Sequence, residues 1–245
     1  MLNAPFEFYV VTPFPEGVFG SFGNGLYFVV LAVIGASLLY SLLKRKSHRL
    51  ISLITGFALT AAAFLLAFVY LFVALLMLNI SYADILALIL AIPLTALIDF
   101  AVFRTDGRGY SLAVLFLGGA LGAFLAMSIP TWSAVLVLSL LAVYDVFAVY
   151  RGPVGKIAST GLEKLRGLSL SFRDVQIGLG DLTFYSMLTS LVFADAGTFF
   201  CVISMIGVLV GAFLALKMLE KKGMFPGLPF SVAFGLAPLL VWLLL

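Results

Sequence analysis

The sequence predicts an all-α, polytopic transmembrane bundle of about eight spans, and three observations predict it. Of 245 residues, 64% are apolar and only 10% are charged, with a mean hydropathy of +1.23. No soluble domain of this size needs so much apolar surface, whereas a lipid-facing bundle does. Several runs reach the roughly 20 apolar residues that a spanning helix requires. Strand-like alternation is absent, so the backbone satisfies itself within helices and not in a barrel.

The whole chain, 1–245, reads as a single domain. Residues 1–24 contain no Lys or Arg, carry Glu7 and Glu16, and are interrupted by Pro5, Pro13 and Pro15. That pattern is not a cleaved signal peptide; an exposed N-terminal segment on the outer face is expected. Apolar runs then cover about 25–43, 50–78, 83–103, 110–129, 131–150, 177–195, 197–216 and 227–245. The second run is long: as one helix it extends roughly 43 Å, more than a hydrocarbon core, and must tilt or protrude. Its middle, Ala61 to Leu66, holds no Gly, Pro or charge to turn the chain, so one helix is expected there.

The basic residues decide the topology. With eight spans, all 14 Lys and Arg fall on one side. Lys44, Arg45, Lys46 and Arg49 follow the first span, Arg104 and Arg108 the third, Arg151, Lys156, Lys164, Arg166 and Arg173 the fifth, and Lys217, Lys221 and Lys222 the seventh. Splitting the second run would move ten of the 14 to the wrong side. The positive-inside rule therefore places both termini on the non-cytoplasmic side. It makes residues 151–176 a cytoplasmic loop, with a short amphipathic helix around 162–168 lying on the membrane surface.

Topology also accounts for the net charge of +3, so no nucleic-acid partner is implied. Cys201, the single cysteine, lies in an apolar run, and His48, the single histidine, lies in a basic loop. Neither an intrachain disulfide nor a metal site follows from them. A serine–histidine protease lacks its membrane-embedded histidine, and a zinc protease lacks HExxH. No metal or cofactor is expected.

Acidic residues inside spans need a reason, because a charge at a helix centre costs about 2.5–3.5 kcal/mol on insertion scales. Asp84 and Asp195 fall at outer helix ends, within reach of water, and Asp99 near Arg104 reads as interfacial or paired. Asp145 and Asp181 are different. They sit roughly 9 Å and about 12 Å inside Arg151 and Arg173 by helical rise, on consecutive antiparallel helices that can bring the carboxyls face to face. Two such carboxyls at low dielectric cannot both ionise, and the pair titrates as a coupled unit. That is the condition for aspartic-protease chemistry, in which the ionised group deprotonates water and the protonated one polarises the scissile carbonyl. From this spacing alone a proton relay or a structural pair fits as well.

The flanking residues narrow the choice. Gly178-Leu179-Gly180-Asp181 opens its helix with two residues that permit close backbone approach, and a helix N-terminus suits a carboxylate. Pro226-Gly227-Leu228-Pro229 opens the last span. Its prolines break regular helix near the depth of the aspartates, where irregular backbone is tolerated only in protein or beside a wet cavity.

These residues resemble the presenilin and signal peptide peptidase family of GxGD intramembrane aspartyl proteases. Tyr144-Asp145 matches the YD of the first catalytic helix, Gly178 to Asp181 the GxGD of the second, and Pro226-Gly227-Leu228 stands where the family has Pro-Ala-Leu. Pro130, Trp132-Ser133-Ala134, Phe184-Tyr185-Ser186 and Phe234-Gly235-Leu236 extend the likeness. There are two departures: eight spans where the family has nine, and Gly227 in place of alanine.

The resemblance implies that Asp145 and Asp181 are the catalytic pair of an endopeptidase. It implies that Tyr144, Gly178, Leu179, Gly180, Pro226, Gly227 and Leu228 border the cleft, and that the partners are transmembrane helices of other proteins within the bilayer. A presenilin-like orientation favours substrates with an outside N-terminus, and a prokaryotic chain of this kind belongs in the cell membrane. A cation or proton channel or carrier using the same aspartates is the rival from another class. A prepilin-type GxGD peptidase is the nearer one, but it lacks the PGLP element and the Tyr144-Asp145 context. By the same resemblance the 151–176 loop orders on substrate arrival. Limited proteolysis of that loop is then expected to slow when substrate is added, and equal sensitivity with and without substrate would count against it.

Overall fold

The computed structural model describes residues 12–15, 17–45, 47–151, 167–172, 175–222 and 224–244. In chain order they form α1 (Val18–Lys44), α2 (His48–Met77), α3 (Ala83–Arg104), α4 (Arg108–Ser128), α5 (Thr131–Tyr150), β1 (Ser169–Phe172), β2 (Val175–Gly178), α6 (Leu179–Lys222) and α7 (Leu228–Leu244). Six of these helices are long and apolar enough to cross a membrane, and α7 is a shorter apolar helix. The protein is a multi-pass membrane protein.

Its polarity is inverted relative to a water-soluble fold. Phe19, Leu53, Leu112 and Leu209 are exposed, whereas Ser21, Asn24, Ser133, Ser204 and Ser231 are buried. Lipid gives apolar side chains no reason to hide, so polar groups turn inward to find partners. Asn24 illustrates this. Its side-chain amide donates to Ser133 Oγ at 3.0 Å and to the Phe14 carbonyl at 3.1 Å, while its Oδ1 accepts from the Phe14 N–H at 3.0 Å. One side chain thereby ties α1, α5 and the segment preceding α1 together.

That network corrects one expectation. Residues 18–24 belong to α1, with Ser21 and Asn24 buried, and not to an exposed terminal segment. The apolar content of 1–24 is too low to reveal a helix whose inward face is polar. By contrast α2 runs unbroken for 30 residues, as its uninterrupted middle requires. Asp99 is paired: it accepts from the Thr60 hydroxyl at 2.8 Å across the α2–α3 contact. Asp195 accepts from Thr131 at 2.8 Å, and Asp84 is exposed.

The 44 residues of α6 are not one rod. Gly197 has φ +82 and ψ −176, which breaks the helix. A straight helix would separate Thr189 from Cys201 by about 18 Å, yet the Cys201 thiol lies 3.5 Å from the Thr189 carbonyl oxygen. The chain therefore doubles back at Gly197, where the glycine supplies a backbone conformation that side chains resist. The described residues thus contain eight helical segments.

Around the folded α6 sits the main core. Leu138 of α5, Met187, Leu188 and Leu191 of the first half of α6, Val208 of the second half, and Val232, Leu236 and Leu239 of α7 form one buried cluster. Small residues set the spacing. A Cβ on Gly122 of α4 would stand 2.6 Å from Ser186 Cβ and 2.7 Å from the Met187 nitrogen. One on Gly211 would stand 2.5 Å from the backbone of Phe230 and Ser231. Ser186 adds a hydrogen bond to the Gly119 carbonyl at 2.7 Å.

The loop before α6 contains an element the sequence does not announce. β1 and β2 pair antiparallel, with Ser169 opposite Gly178 and Phe172 opposite Val175. The Leu179 N–H donates back to the Leu168 carbonyl at 2.8 Å, and the Tyr110 hydroxyl of α4 donates to the Ser169 carbonyl. The amphipathic helix expected at 162–168 lies, as far as Arg166, outside the described residues; Gly167 and Leu168 form a turn and bend. Because α4 and α6 touch through bare backbone, Gly122→Leu is expected to destabilise the protein by about 2–3 kcal/mol. A lowered midpoint of thermal unfolding in detergent, relative to Ala123→Leu, reads this out.

Candidate active site

Asp145 lies in the last two turns of α5, and Asp181 in the first turn of α6. The hairpin delivers the second of these: β2 ends at Gly178 and α6 begins at the next residue. The Gly178 backbone lies beside the Asp181 carboxyl, 3.8 Å from where a Gly178 Cβ would stand, and the charge of Asp145 reaches Asp181. The two carboxyls therefore lie in the same region of the bundle.

The third component is the start of α7. Gly223 lies outside the described residues; Met224 to Gly227 are not helical, and the helix begins at Leu228. The Leu228 N–H donates to Asp145 Oδ2 at 3.1 Å. The first amides of a helix have no partner within it, so they are free to bind an anion. Proline at 226 removes one amide from that turn and breaks regular helix there. Gly227 lies against the other carboxyl: a Cβ placed on it would stand 3.2 Å from Asp181 Oδ2.

Tyr185 sits one helical turn beyond Asp181. Its hydroxyl donates to the Gly227 carbonyl at 3.1 Å. Ser231 Oγ donates to the same oxygen at 3.3 Å. A cavity of about 120 Å³ adjoins this group, lined by Ile177, Asp181, Tyr185, Ala212, Ala215, Leu216, Leu219, Phe225 and Gly227. Larger apolar cavities lie elsewhere, one of about 530 Å³ between α2, α3 and α4. Their described lining residues include no carboxyl, so size does not mark the site.

The remaining residues singled out in the sequence divide. Gly178, Gly180, Pro226, Gly227 and Leu228 lie in the segments that carry or contact the carboxyls. Tyr144 adjoins Asp145, and its hydroxyl is buried without a hydrogen-bond partner among the described residues. Leu179 points elsewhere: it packs with Leu59, Ala63, Val114 and Leu117 in a buried cluster of α2 and α4. Its role here is to seat the start of α6. Tyr185 and Ser231 received no role from the sequence. The available signal was spacing, since Tyr185 follows Asp181 by four residues and Ser231 follows Gly227 by four, each pair sharing a helix face.

Two comparisons bear on this arrangement. Presenilin-B of Dictyostelium discoideum is 34% identical over 121 residues, covering 44% of this chain and 25% of that protein. The chain thus spans about a quarter of the length of this curated relative. The fold is that of a solved structure described as a presenilin family intramembrane aspartate protease, with a TM-score of 0.61 and 24% identity. The match covers 95% of this chain and 85% of that one. No family model matches the chain.

Proposed function

Starting from a chain that is presenilin-like in sequence and fold, we propose that it is an intramembrane aspartyl endopeptidase with Asp145 and Asp181 as its catalytic pair. One observation carries the reading: two carboxyls from successive helices lie on the same non-helical turn before α7, Asp145 taking the Leu228 N–H and Asp181 Oδ2 lying 3.2 Å from where a Gly227 Cβ would stand. Asp145, which accepts the Leu228 N–H, is the base. Asp181 carries the shared proton.

The chemistry then follows general acid–base rules. Asp145 takes a proton from a water as its oxygen attacks the scissile carbonyl, while Asp181 donates its proton to the carbonyl oxygen. The resulting tetrahedral gem-diol collapses as the proton on Asp145 passes to the leaving nitrogen and Asp181 recovers its own. The C–N bond breaks, releasing an acid and an amine. Neither metal nor cofactor enters these steps.

A substrate helix must unwind, because its scissile carbonyl is otherwise hydrogen-bonded within the helix. Gly178, Gly180, Pro226, Gly227 and Leu228 border the place where it does so, with Tyr144 beside Asp145. An extended peptide next to a sheet edge or loop is a general solution to this problem, and β2 ends three residues before Asp181. Leu179 is part of this border only if its packing against α2 opens. The preferred substrates are transmembrane segments with an outside N-terminus. We further propose that all eight helical segments span the bilayer, with both termini on the non-cytoplasmic side and the 151–176 loop in the cytoplasm.

A channel or carrier built on the same aspartates gives no role to the Leu228 amide. Reconstitution distinguishes the two. Asp145→Ala and Asp181→Ala, each alone, are expected to lower cleavage of a transmembrane reporter in proteoliposomes by about a thousandfold or more, with folding retained. Either variant cutting at the wild-type rate would sink the assignment. Ion flux without any peptide product from wild-type protein would favour the channel.

Gly227 yields a second expectation. Gly227→Ala restores the family's residue and asks Asp181 Oδ2 to move by a few tenths of an ångström, so activity survives. Gly227→Leu fills the adjoining cavity and abolishes both cleavage and binding of a transition-state aspartyl inhibitor. Tight inhibitor binding by the leucine variant would show that the cavity is not part of the cleft.

A further inference from the structure

Resting on the protease reading above, we propose that Tyr185 and Ser231 are positioning residues that aim the base by gripping a single peptide unit. That unit joins Gly227 to Leu228. Its carbonyl oxygen takes the Tyr185 hydroxyl at 3.1 Å, with Ser231 Oγ at 3.3 Å, and its N–H is the one that donates to Asp145 Oδ2 at 3.1 Å.

The stereochemistry makes the two ends inseparable. A peptide unit is planar, and in the trans form its C=O and N–H point in opposite directions; no described peptide bond is cis. Fixing the oxygen on one side therefore fixes the N–H on the other. Without the grip the unit is free to turn, because Gly227 has no side chain to restrict the rotation and Pro226 before it contributes no amide. A hydrogen bond to the oxygen also polarises the amide and strengthens its donation.

The grip comes from the correct partners. Tyr185 is on the helix that carries Asp181, four residues on, and so shares its face. Ser231 is on α7 and fully buried. One peptide unit thus couples the α6 carboxyl-bearing face to the α5 carboxyl. Asp181 and Tyr185 from α6 and Tyr144 from α5 are the titratable groups beside Asp145 at this site.

The test uses the full chain in proteoliposomes and a transmembrane reporter. Tyr185→Phe and Ser231→Ala, singly and together, remove only the hydroxyls. For the double variant kcat is expected to fall about tenfold, the equivalent of one well-made hydrogen bond, with KM changed less than twofold. With its donor no longer aimed, the base retains a proton to higher pH, so the acid limb of the kcat profile moves up by about half a pH unit. If Tyr185→Phe does not fold, Ser231→Ala carries the same two readouts. An unchanged kcat and pH profile in the folded variants, alongside inactive Asp145→Ala, overturns the positioning role and leaves the protease reading standing. A rise in KM alone overturns it too, because the hydroxyls would then touch substrate. Cleavage surviving in Asp145→Ala overturns both readings together.

Discussion

A carboxylate inside a membrane needs a donor, and the start of α7 supplies one to Asp145. Much of the architecture around the site follows from this one requirement. Unsatisfied charge in hydrocarbon is too costly to keep, and free backbone N–H groups occur where a helix begins. A helix that begins beside the aspartate meets this requirement. Pro226 and Gly227 are what allow that start: the first breaks the helix, and the second leaves room for Asp181 Oδ2 3.2 Å from where a Cβ would stand.

Holding three such helix ends together demands close packing. α6 touches α4 on one side and α7 on the other, and both contacts run through glycines whose Cβ atoms would collide with the facing backbone. Bare backbone surfaces then bond across helices, as Ser186 does to Gly119 at 2.7 Å and Ser204 to Gly235 at 2.8 Å. In lipid this packing takes the place of the hydrophobic drive that holds a soluble core together. The larger cavities between α2, α3 and α4 and beside α7 are lined by apolar side chains among the described residues, away from the helix ends that carry the aspartates.

What physics sets along the chain is legible in the sequence: the unbroken run of α2 and the break between the two halves of α6 both reflect local composition. What a contact partner decides is not. Residues 18–24 look polar and terminal, but Asn24 is helical because Ser133 and Phe14 receive its amide. The hairpin was missed because two strands of four residues each carry too little periodicity to stand out, and Tyr110 holds it from α4. Gly118-x-x-x-Gly122 and Gly207-x-x-x-Gly211 were legible as helix-contact motifs. They passed unremarked among 23 glycines.

Asp145 and Asp181 therefore stand out from the sequence alone, since no bilayer-spanning segment carries a carboxyl without a reason and both lie at similar depth. The sequence likewise determines that Pro226 and Gly227 interrupt the chain near that depth. What only the tertiary structure decided is which atoms meet: that the Gly227–Leu228 peptide turns its N–H to Asp145 and its oxygen to Tyr185. It also turned Leu179 away from the carboxyls into the α2–α4 contact. Depth is set by distance along a helix, which the chain itself measures. Orientation is set by which neighbour fills the space opposite, and those neighbours come from positions tens of residues apart.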